Sequence, residues 1–449
     1  MSDFIRLKKG LDLPISGAAS CTVSKVVDPG LVSIKPTDFR GLVPRLSVQE
    51  GDKVLAGTPL FSDKKNPEIL FCSPVSGTVE SVVRGDKRKL LEVRVKADGS
   101  NEAVHHEIPK FAALEKDDVT KLLMKAGLWP CIKQRPYGII ANPEDNPKAI
   151  FVSGFNTAPL GTDLEFALHE DTAAIQAGFD ALCKFGVGVH FCIGAKDYAG
   201  GEFHRITGTI NHRVEGPHPA GNVGVQINHI SPVNKGEVVW TVDLMFVAAI
   251  GRFFLKGVYD VHRTIAVAGP AAVNPSYVKV PCGVSMQDLK EYFGKGDIRV
   301  ISGDVLTGDN VGQDGFLGFY HNMVSVIPEG NYYEMFGWVK PFRLHKFSLS
   351  RSYWSWLCPS RKYAMDTNLN GGVRAFFVND VYSKVFPMDI YPVYLFKAIL
   401  AGDIEKMEQL GIYEVVEEDV ALCEYVDPSK IEIQKIVSDG IDLMLKEMA

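Results

Sequence analysis

The sequence predicts a multidomain α/β and α+β fold built from four consecutive units. Three observations support this prediction. A length of 449 residues is enough for about two to four domains of ordinary size. Short apolar runs broken by glycine and proline fill residues 1–105, which is typical of β-structure. Apolar stretches of strand length then alternate with helical patterns over residues 106–260, as in a parallel sheet covered by helices.

The composition is that of a folded soluble protein, with 46% hydrophobic and 23% charged residues. The 54 acidic and 48 basic residues give a net charge of −6, which does not support nucleic acid as a partner. The best candidate for a membrane span, residues 238–254, is interrupted by Asp243 and Arg252, so we predict a buried helix there. The N-terminus lacks the apolar core of a signal peptide, which predicts a cytoplasmic protein that could still dock on a membrane complex.

The eight cysteines are spread along the chain, and none lies within three residues of another. Zinc sites and iron–sulfur clusters need several thiolates close together. The spacing therefore predicts free, mostly buried thiols and no bound metal.

The first unit, residues 1–105, places glycine turns between strands that alternate apolar and polar residues, notably at Gly51, Gly57 and Gly77. This pattern looks like the barrel-sandwich hybrid fold of biotinyl and lipoyl domains. Such domains carry a modified lysine at a hairpin tip, which here holds Lys64 and Lys65. The usual attachment lysine has hydrophobic neighbours, which this tip lacks. We therefore favour a solvated basic turn over a carrier lysine.

The second unit, residues 106–260, predicts a Rossmann-like α/β domain. A helical pattern near residues 113–127 precedes a buried strand, Ala149 to Asn156, and a helix that ends at Gly186. No GxGxxG motif follows any of the predicted strands. Because a phosphate cradle needs backbone amides brought close by glycine, this absence counts against independent dinucleotide binding.

The third unit, residues 261–328, predicts strand, turn, strand, helix and a further strand, a β-grasp pattern. It resembles the soluble-ligand-binding β-grasp module. The last unit, residues 329–449, is aromatic between Phe342 and Phe377 and helical in pattern from Pro387 onwards. We expect a C-terminal, mainly helical domain.

Five sequence stretches occur in the order found in one family. They are KKGLDLPISG from Lys8, FSDKKNPEILFCSPVSGTV from Phe61, GLWPCIKQRP from Gly127, HPAGNVGVQINHISPV from His218 and CGVSMQDL from Cys282. With these stretches the chain resembles, over nearly its whole length, the A subunits of the sodium-translocating NADH:quinone oxidoreductase (Nqr). The order of modules also resembles the C subunit of the Rnf complex and the flavin-bearing subunit of complex I.

This resemblance implies a role in a respiratory sodium pump that oxidises NADH, reduces quinone to quinol and exports Na⁺. It implies a peripheral subunit on the cytoplasmic side of the bacterial inner membrane, with five partner subunits, B to F, in a six-subunit complex. Quinone would be a substrate. FMN, FAD, riboflavin and iron–sulfur centres would belong only to the partner subunits.

Two departures from the flavin-bearing relatives support the absence of a redox cofactor in this chain. The position of their glycine-rich flavin loop is occupied here by Leu128 to Pro136, whose tryptophan and two prolines cannot supply a run of closely approaching amides. The tail resembles a degenerate iron–sulfur domain. Cys423 stands where a ligand would be, the Cys358–Pro359 pair resembles another remnant, and Asp427 takes the place of a ligand cysteine.

A quinone needs an apolar, aromatic slot with hydrogen-bond donors for its carbonyl oxygens. The sequence offers these groups where the flavin loop is lost and in the HPAGNVG stretch. The candidate quinone-binding residues are Trp129, Lys133, Arg135, His218 and Asn222. The alternative is that Trp129 and Tyr137 fill the core, that Arg135 is a surface residue, and that His218 and Asn222 stabilise a turn.

Two other functions stay open at this stage. The chain could be a purely structural scaffold of the complex, without a quinone contact. It could also be a free-standing flavin-dependent NADH dehydrogenase, which the missing glycine cradle opposes.

Overall fold

The computed structural model describes residues 4–447, apart from 199 and 341 and the side chain of 338. The N-terminal part of the chain is β-structure. Its strands are β1 (Phe4–Arg6), β2 (Ser20–Val26), β3 (Leu31–Ile34), β4 (Pro44–Leu46), β5 (Lys53–Val54), β6 (Pro59–Asp63), β7 (Leu70–Cys72), β8 (Gly77–Arg84) and β9 (Leu90–Ala97).

Seven of these strands form two small antiparallel sheets, ordered β3-β9-β8-β5 and β4-β6-β7. Their inner faces share one apolar core, in which the rings of Phe61 and Phe71 stack with centroids 4.7 Å apart. Lys64 and Lys65 lie exposed in the turn between β6 and β7, where the Lys65 amide donates to the Asp63 side chain at 3.0 Å. Both lysines are thus open to solvent, which a basic turn and a carrier lysine have in common.

The first 26 residues do not belong to the expected unit 1–105, because β1 and β2 pair with strands of the second and third units. Strand β1 pairs in parallel with a strand of the second unit, with Phe4 opposite Arg213. Strand β2 pairs in parallel with the third unit, with Ser20 opposite Ser276. The chain therefore uses its N-terminus to extend two remote sheets, which a local sequence pattern cannot reveal.

The second unit is a seven-stranded sheet with helices on its faces. Its elements are α1 (Lys116–Lys125), β10 (Ile132–Arg135), β11 (Ile139–Ile140), β12 (Ala149–Ser153), α2 (Leu164–Ala167), α3 (Thr172–Cys183), β13 (Gly188–Gly194), α4 (Ala195–Tyr198), β14 (Ile210–Glu215), α5 (Val223–Ile230), β15 (Val239–Val242) and α6 (Leu244–Lys256).

The strand order is β1-β14-β13-β12-β15-β10-β11. Strands β1, β14, β13, β12 and β15 run in parallel, whereas at one edge β10 pairs antiparallel with β15 and β11 pairs antiparallel with β10. After β12 the chain adds β13 and β14 on one side, and β15 then returns to the other side of β12. The order therefore reverses between β12 and β15, where open parallel sheets leave a crevice at their carboxyl ends.

The predicted buried helix over residues 238–254 is wrong at its beginning. Residues Val239–Val242 form β15, and the helix α6 starts only at Leu244. Asp243 separates the two elements because its side chain accepts a hydrogen bond from the Met245 amide at 2.8 Å and so caps the helix.

The third unit contains β16 (Arg263–Ala268), β17 (Ser276–Val280), β18 (Ile298–Ser302), β19 (Asp309–Asn310) and β20 (Met323–Pro328). Together with β2 they form a six-stranded mixed sheet ordered β19-β18-β20-β16-β17-β2. The helix expected after β17 is a 3₁₀ segment, Met286–Tyr292, in which the Gln287 amide is capped by the Ser285 side chain.

The tail differs from the expected mainly helical unit 329–449. Among the described residues between 329 and 391 the helical segments are short 3₁₀ turns, an isolated bridge joins Tyr363 to Ile15, and many aromatic side chains are exposed. The α-helices come later: α7 (Pro392–Leu400), α8 (Ile404–Gln409), α9 (Glu417–Val426) and α10 (Ile433–Glu447). These helices pack around a second apolar core that also takes in Tyr137 and Val225 of the sheet unit.

Within the described part of the chain, no helix is both long and apolar enough to cross a membrane.

Candidate functional site

A cavity of about 430 Å³ lies at the crevice between β12 and β15. One wall is the carboxyl edge of the sheet, with Ser153, Thr241 and Asp243. A second wall comes from the third unit around Tyr320, and a third from the amino end of α9 around Glu418. The site is therefore assembled from three units of the chain at the position where open α/β sheets bind ligands.

Lys133 reaches the cavity from the antiparallel strand β10, where it lies opposite Thr241 of β15. Its ammonium nitrogen lies 4.6 Å from the centre of the Tyr320 ring, a cation–π contact. Burial raises the pKa of the neighbouring Asp243 carboxyl, while the helix-capping hydrogen bond and the positive charges of Arg263 and Lys133 oppose that rise. The cavity thus holds the Lys133 ammonium group beside a carboxyl group whose pKa is raised by burial.

Arg135 lies two residues further along β10, and it is buried rather than on the surface. Its guanidinium donates to Asp419 at 2.5 Å, to Glu418 at 2.7 Å and to the carbonyl of Glu414 at 3.0 Å. Burial opposes its charged form, but the carboxylates of Asp419 and Glu418 outweigh this effect and raise its pKa. Arg135 therefore ties the sheet to helix α9, with its charge already neutralised.

His218 and Asn222 lie in the segment that connects β14 to α5, and both line the cavity. The His218 amide donates to Asp12 at 2.8 Å, and its Nδ1 lies 3.1 Å from the Thr157 hydroxyl. Its Nε2 is buried without a hydrogen-bond partner among the described residues, and burial lowers the pKa of the ring. The Asn222 side chain donates to the Glu418 carbonyl at 3.1 Å, which joins this segment to α9.

Three aromatic rings complete the lining: Phe155, Phe246 and Tyr320. The rings of Phe246 and Tyr320 meet edge to face with centroids 5.9 Å apart. The Tyr320 hydroxyl donates to the Pro130 carbonyl at 2.7 Å, which fixes the ring over Lys133. The cavity consequently combines apolar ring faces with two polar groups, the ammonium group of Lys133 and the imidazole of His218.

Trp129 lies apart from the other four candidate residues. It is completely buried in the core below the sheet, where its ring meets Trp240 edge to face at 5.5 Å. Its indole N–H donates to the Ala141 carbonyl at 2.7 Å, so its polar group is already satisfied. Trp129 does not line the cavity, and a ring could stack on it only by displacing core side chains. It packs as core, which is the alternative interpretation of the sequence.

The tail residues singled out as remnants of cluster ligands have other surroundings. The Asp427 carboxylate accepts from the Tyr382 hydroxyl at 2.7 Å and from the Ile431 amide at 3.1 Å. Cys423 is buried in α9, where burial raises the pKa of its thiol, whereas Cys358 is exposed. Across residues 4–447, wherever the structure describes them, no three His, Cys, Asp or Glu side chains are placed to hold a metal ion.

Several residues of the site escaped the sequence reasoning: Asp243, Tyr320, Glu418 and, behind them, Asp419. Only Asp243 is marked in the sequence, because its charge interrupts the apolar run of residues 238–254. The others come from distant parts of the chain, with Asp419 lying 284 positions from Arg135. Only the tertiary structure brings them together.

Comparison with known proteins finds three family models along the chain. The NqrA N-terminal barrel-sandwich hybrid domain matches residues 5–98, the NqrA second alpha/beta domain matches residues 114–259, and the NQRA C-terminal domain matches residues 264–313. These matches confirm the barrel-sandwich and α/β predictions for the first two units.

Full-length relatives agree with the family models. The A subunit of the Na(+)-translocating NADH-quinone reductase of Yersinia pestis bv. Antiqua (strain Angola) is 36% identical over 443 residues, covering 97% of this chain and 98% of that protein. The protein of the same name from Vibrio atlanticus (strain LGP32) is 35% identical over 448 residues, covering 99% of this chain and 100% of that protein. An NAD+-reducing [NiFe]-hydrogenase structure matches 76% of this chain and 62% of its own at 11% identity, with a TM-score of 0.40.

Proposed function

The chain belongs to the family of A subunits of the Na(+)-translocating NADH-quinone reductase, and from this membership we propose that its cavity binds the headgroup of a quinone. Relatives with this name are components of an oxidoreductase complex, and so is this chain. The observation that carries the proposal is the cavity itself. Its aromatic rings and the unsatisfied Nε2 of His218 lie beside the ammonium group of Lys133. All of them lie where the strand order reverses between β12 and β15.

A quinone headgroup is flat and apolar, with two carbonyl oxygens that only accept hydrogen bonds. Phe155, Phe246 and Tyr320 offer apolar surface for the ring, and Lys133 Nζ offers a donor for one carbonyl. In the tautomer that accepts from the Thr157 hydroxyl at Nδ1, His218 carries its proton on Nε2 and would donate to the other carbonyl. A volume of about 430 Å³ is within the range of small-molecule sites.

The proposed roles of the five candidate residues differ. Lys133 and His218 would contact the quinone. Arg135 and Asn222 would hold helix α9 against the cavity, through their bonds to Glu418. Trp129 would act only through the core beneath the sheet.

We also propose that this chain carries no redox centre of its own. FMN, FAD, riboflavin and iron–sulfur centres would then lie in the partner subunits, B to F, of a six-subunit complex. The loop that replaces the flavin cradle supports this, because Trp129, Pro130 and Cys131 form a buried 3₁₀ turn in place of exposed amides. We place the chain at the periphery of the complex, on the cytoplasmic side of the inner membrane.

The affinity of the isolated chain should be modest. Burying a ring of ~150–250 Å² contributes a few kcal/mol at ~25 cal/mol per Å², and the loss of rigid-body freedom offsets much of it. We expect a dissociation constant between about micromolar and millimolar for a short-chain quinone.

The experiment is an NMR titration of the purified chain with a short-chain quinone. Lys133→Gln should weaken binding about ten-fold, because a hydrogen bond from a charged donor is replaced by a neutral one. Lys121→Gln removes an exposed lysine from α1 and is the matched control, which should bind like the wild type. Equal affinity in the Lys133 and Lys121 variants would contradict the proposal. No binding to the wild type would favour the structural scaffold.

A further inference from the structure

The segment from Lys340 to Lys362, here called the basic aromatic segment, differs in charge from the rest of the chain. It holds six Lys and Arg residues and no Asp or Glu, although the whole chain has a net charge of −6. The quinone site does not use it. We propose that this segment is a docking surface for the headgroup region of an anionic lipid bilayer.

The backbone of the segment is anchored to the rest of the protein. The Tyr363 amide next to it donates to the Pro14 carbonyl at 2.7 Å, and the Tyr363 carbonyl accepts from the Ser16 amide at 2.9 Å. Arg343 is buried and pairs with Glu334, and it also donates to the Tyr353 hydroxyl at 2.8 Å. These contacts tie down parts of the segment, so less conformational entropy is lost on docking than for an untethered loop.

Three of the six cations pair with carboxylates of the protein, although Lys340 stays exposed in its pair, and the other three are presented outward. Lys340 and Arg343 share Glu334, and Lys346 lies 3.0 Å from Asp366. The other three, Arg351, Arg361 and Lys362, are exposed. The Arg351 guanidinium lies 5.6 Å from the centre of the Trp356 ring, so positive charge and aromatic surface occur together.

Large apolar side chains are exposed beside these cations. The 3₁₀ turn Trp354–Leu357 buries Ser355 but leaves Trp354, Trp356 and Leu357 46%, 48% and 60% exposed. Phe342 is 71% exposed, and its ring meets Trp354 edge to face at 4.6 Å. Exposed apolar clusters of this kind usually mark an interaction site.

The chemistry of this surface fits a lipid headgroup layer. Tryptophan is enriched at membrane interfaces because its amphipathic ring is stable at headgroup depth. Arginine and lysine are drawn to anionic lipids, each strengthening binding about five-fold near such a surface. The segment itself contains no carboxylate, and the neighbouring Glu334 and Asp366 are paired with three of its cations, whereas the acidic remainder of the chain would be repelled from that surface.

The test is sedimentation of the purified full chain with vesicles of phosphatidylcholine alone or of phosphatidylcholine mixed with phosphatidylglycerol. The wild type should bind the mixed vesicles at least ten-fold more tightly. Arg351→Gln/Arg361→Gln/Lys362→Gln should lose at least ten-fold of that affinity. The matched control, Lys87→Gln/Arg88→Gln/Lys89→Gln, removes three exposed charges from the β8–β9 turn and should bind within two-fold of the wild type.

Three results would overturn the proposal. One is equal or absent binding of the wild type to both kinds of vesicle, and another is an equal loss in the two triple variants. The third is a chain that ignores lipid but binds purified membrane subunits through Arg351, Arg361 and Lys362, which would make the segment a protein interface. Thermal melts of each variant exclude unfolding as the cause, and each of these outcomes leaves the quinone titration to be judged separately.

Discussion

The guanidinium of Arg135 and the carboxylate of Asp419 form a buried ion pair, with Nη1 and Oδ2 2.5 Å apart. Asp419 also accepts from the Val416 amide at 3.0 Å, so the same carboxylate caps helix α9. The pair joins strand β10 to the tail helices and holds the amino end of α9 as a wall of the cavity. The shape of the proposed quinone site thus depends on a contact between residues 284 positions apart.

Removing the arginine should destabilise the protein strongly. In Arg135→Met the Asp419 carboxylate stays buried without its counter-ion, which costs about 3–5 kcal/mol of unfolding free energy. The change can be measured by urea unfolding followed through tryptophan fluorescence, to which the buried Trp129 and Trp240 contribute. The control is Lys25→Met, which breaks an exposed pair with Glu291 and should leave stability unchanged.

The contributions of Arg135 and Asp419 to the unfolding free energy should also be coupled. Arg135→Met/Asp419→Leu removes both charges and should recover part of the stability that the single variant loses, because no unpaired charge remains buried. If Arg135→Met were as stable as Lys25→Met, the pair would have no structural role.

Gly224, in the first turn of α5, should tolerate no side chain. A Cβ atom there would overlap Asp419 Oδ1 and lie 2.7 Å from Arg135 Nη2, and both groups are fixed by their ion pair. Gly224→Ala should therefore lower stability by about 1–3 kcal/mol, although alanine is the better helix former. Gly372→Ala meets open space at an ordinary backbone conformation and serves as the control in the same unfolding assay. A Gly224→Ala protein at least as stable as this control would rule out the predicted clash.

His190 should make stability depend on pH. Its ring stacks on Phe151 with centroids 4.6 Å apart, and its Nδ1 lies 2.8 Å from Nε2 of His212, at hydrogen-bond distance. Burial, with a contribution from the charge of His212, lowers its pKa from 6.5 to about 4. The unfolded chain therefore takes up the proton first as the pH falls. The stabilisation from a neutral His190 is complete above pH 6.5 and is lost progressively down to pH 4.

The change His190→Phe keeps a ring on Phe151 but removes this titration, together with the hydrogen bond to His212. Between pH 7 and pH 4 the unfolding free energy of the wild type should fall by roughly 1–2 kcal/mol more than that of the variant. This figure is reduced for the partial exposure of the His190 ring. The measurement is the unfolding free energy at a series of pH values. The exposed His169→Gln should keep the wild-type profile, and an unaltered profile in His190→Phe would contradict the assignment.

Local patterns predicted much of the fold because they record which side chains must be buried. Glycine turns between short apolar runs indicated the barrel-sandwich unit, and the apolar run from Ala149 became the buried strand β12. The helical spacing before Lys125 became α1. The five family stretches were sufficient to identify the family, which the full-length relatives confirm. The helix predicted over residues 238–254 began too early, because Asp243 marks a strand end and a helix cap.

The sequence alone determined the family and a mixed α/β fold with a barrel-sandwich unit before an α/β unit, and it supplied candidate residues for a site. Only the tertiary structure decided that β1 and β2 extend two remote sheets, that Trp129 is core and that Lys133 faces Tyr320 from another unit. The physical reason is that periodicity reports whether a side chain is buried, but not against what. Strand pairing and ion pairs such as that of Arg135 and Asp419 depend on groups hundreds of residues apart.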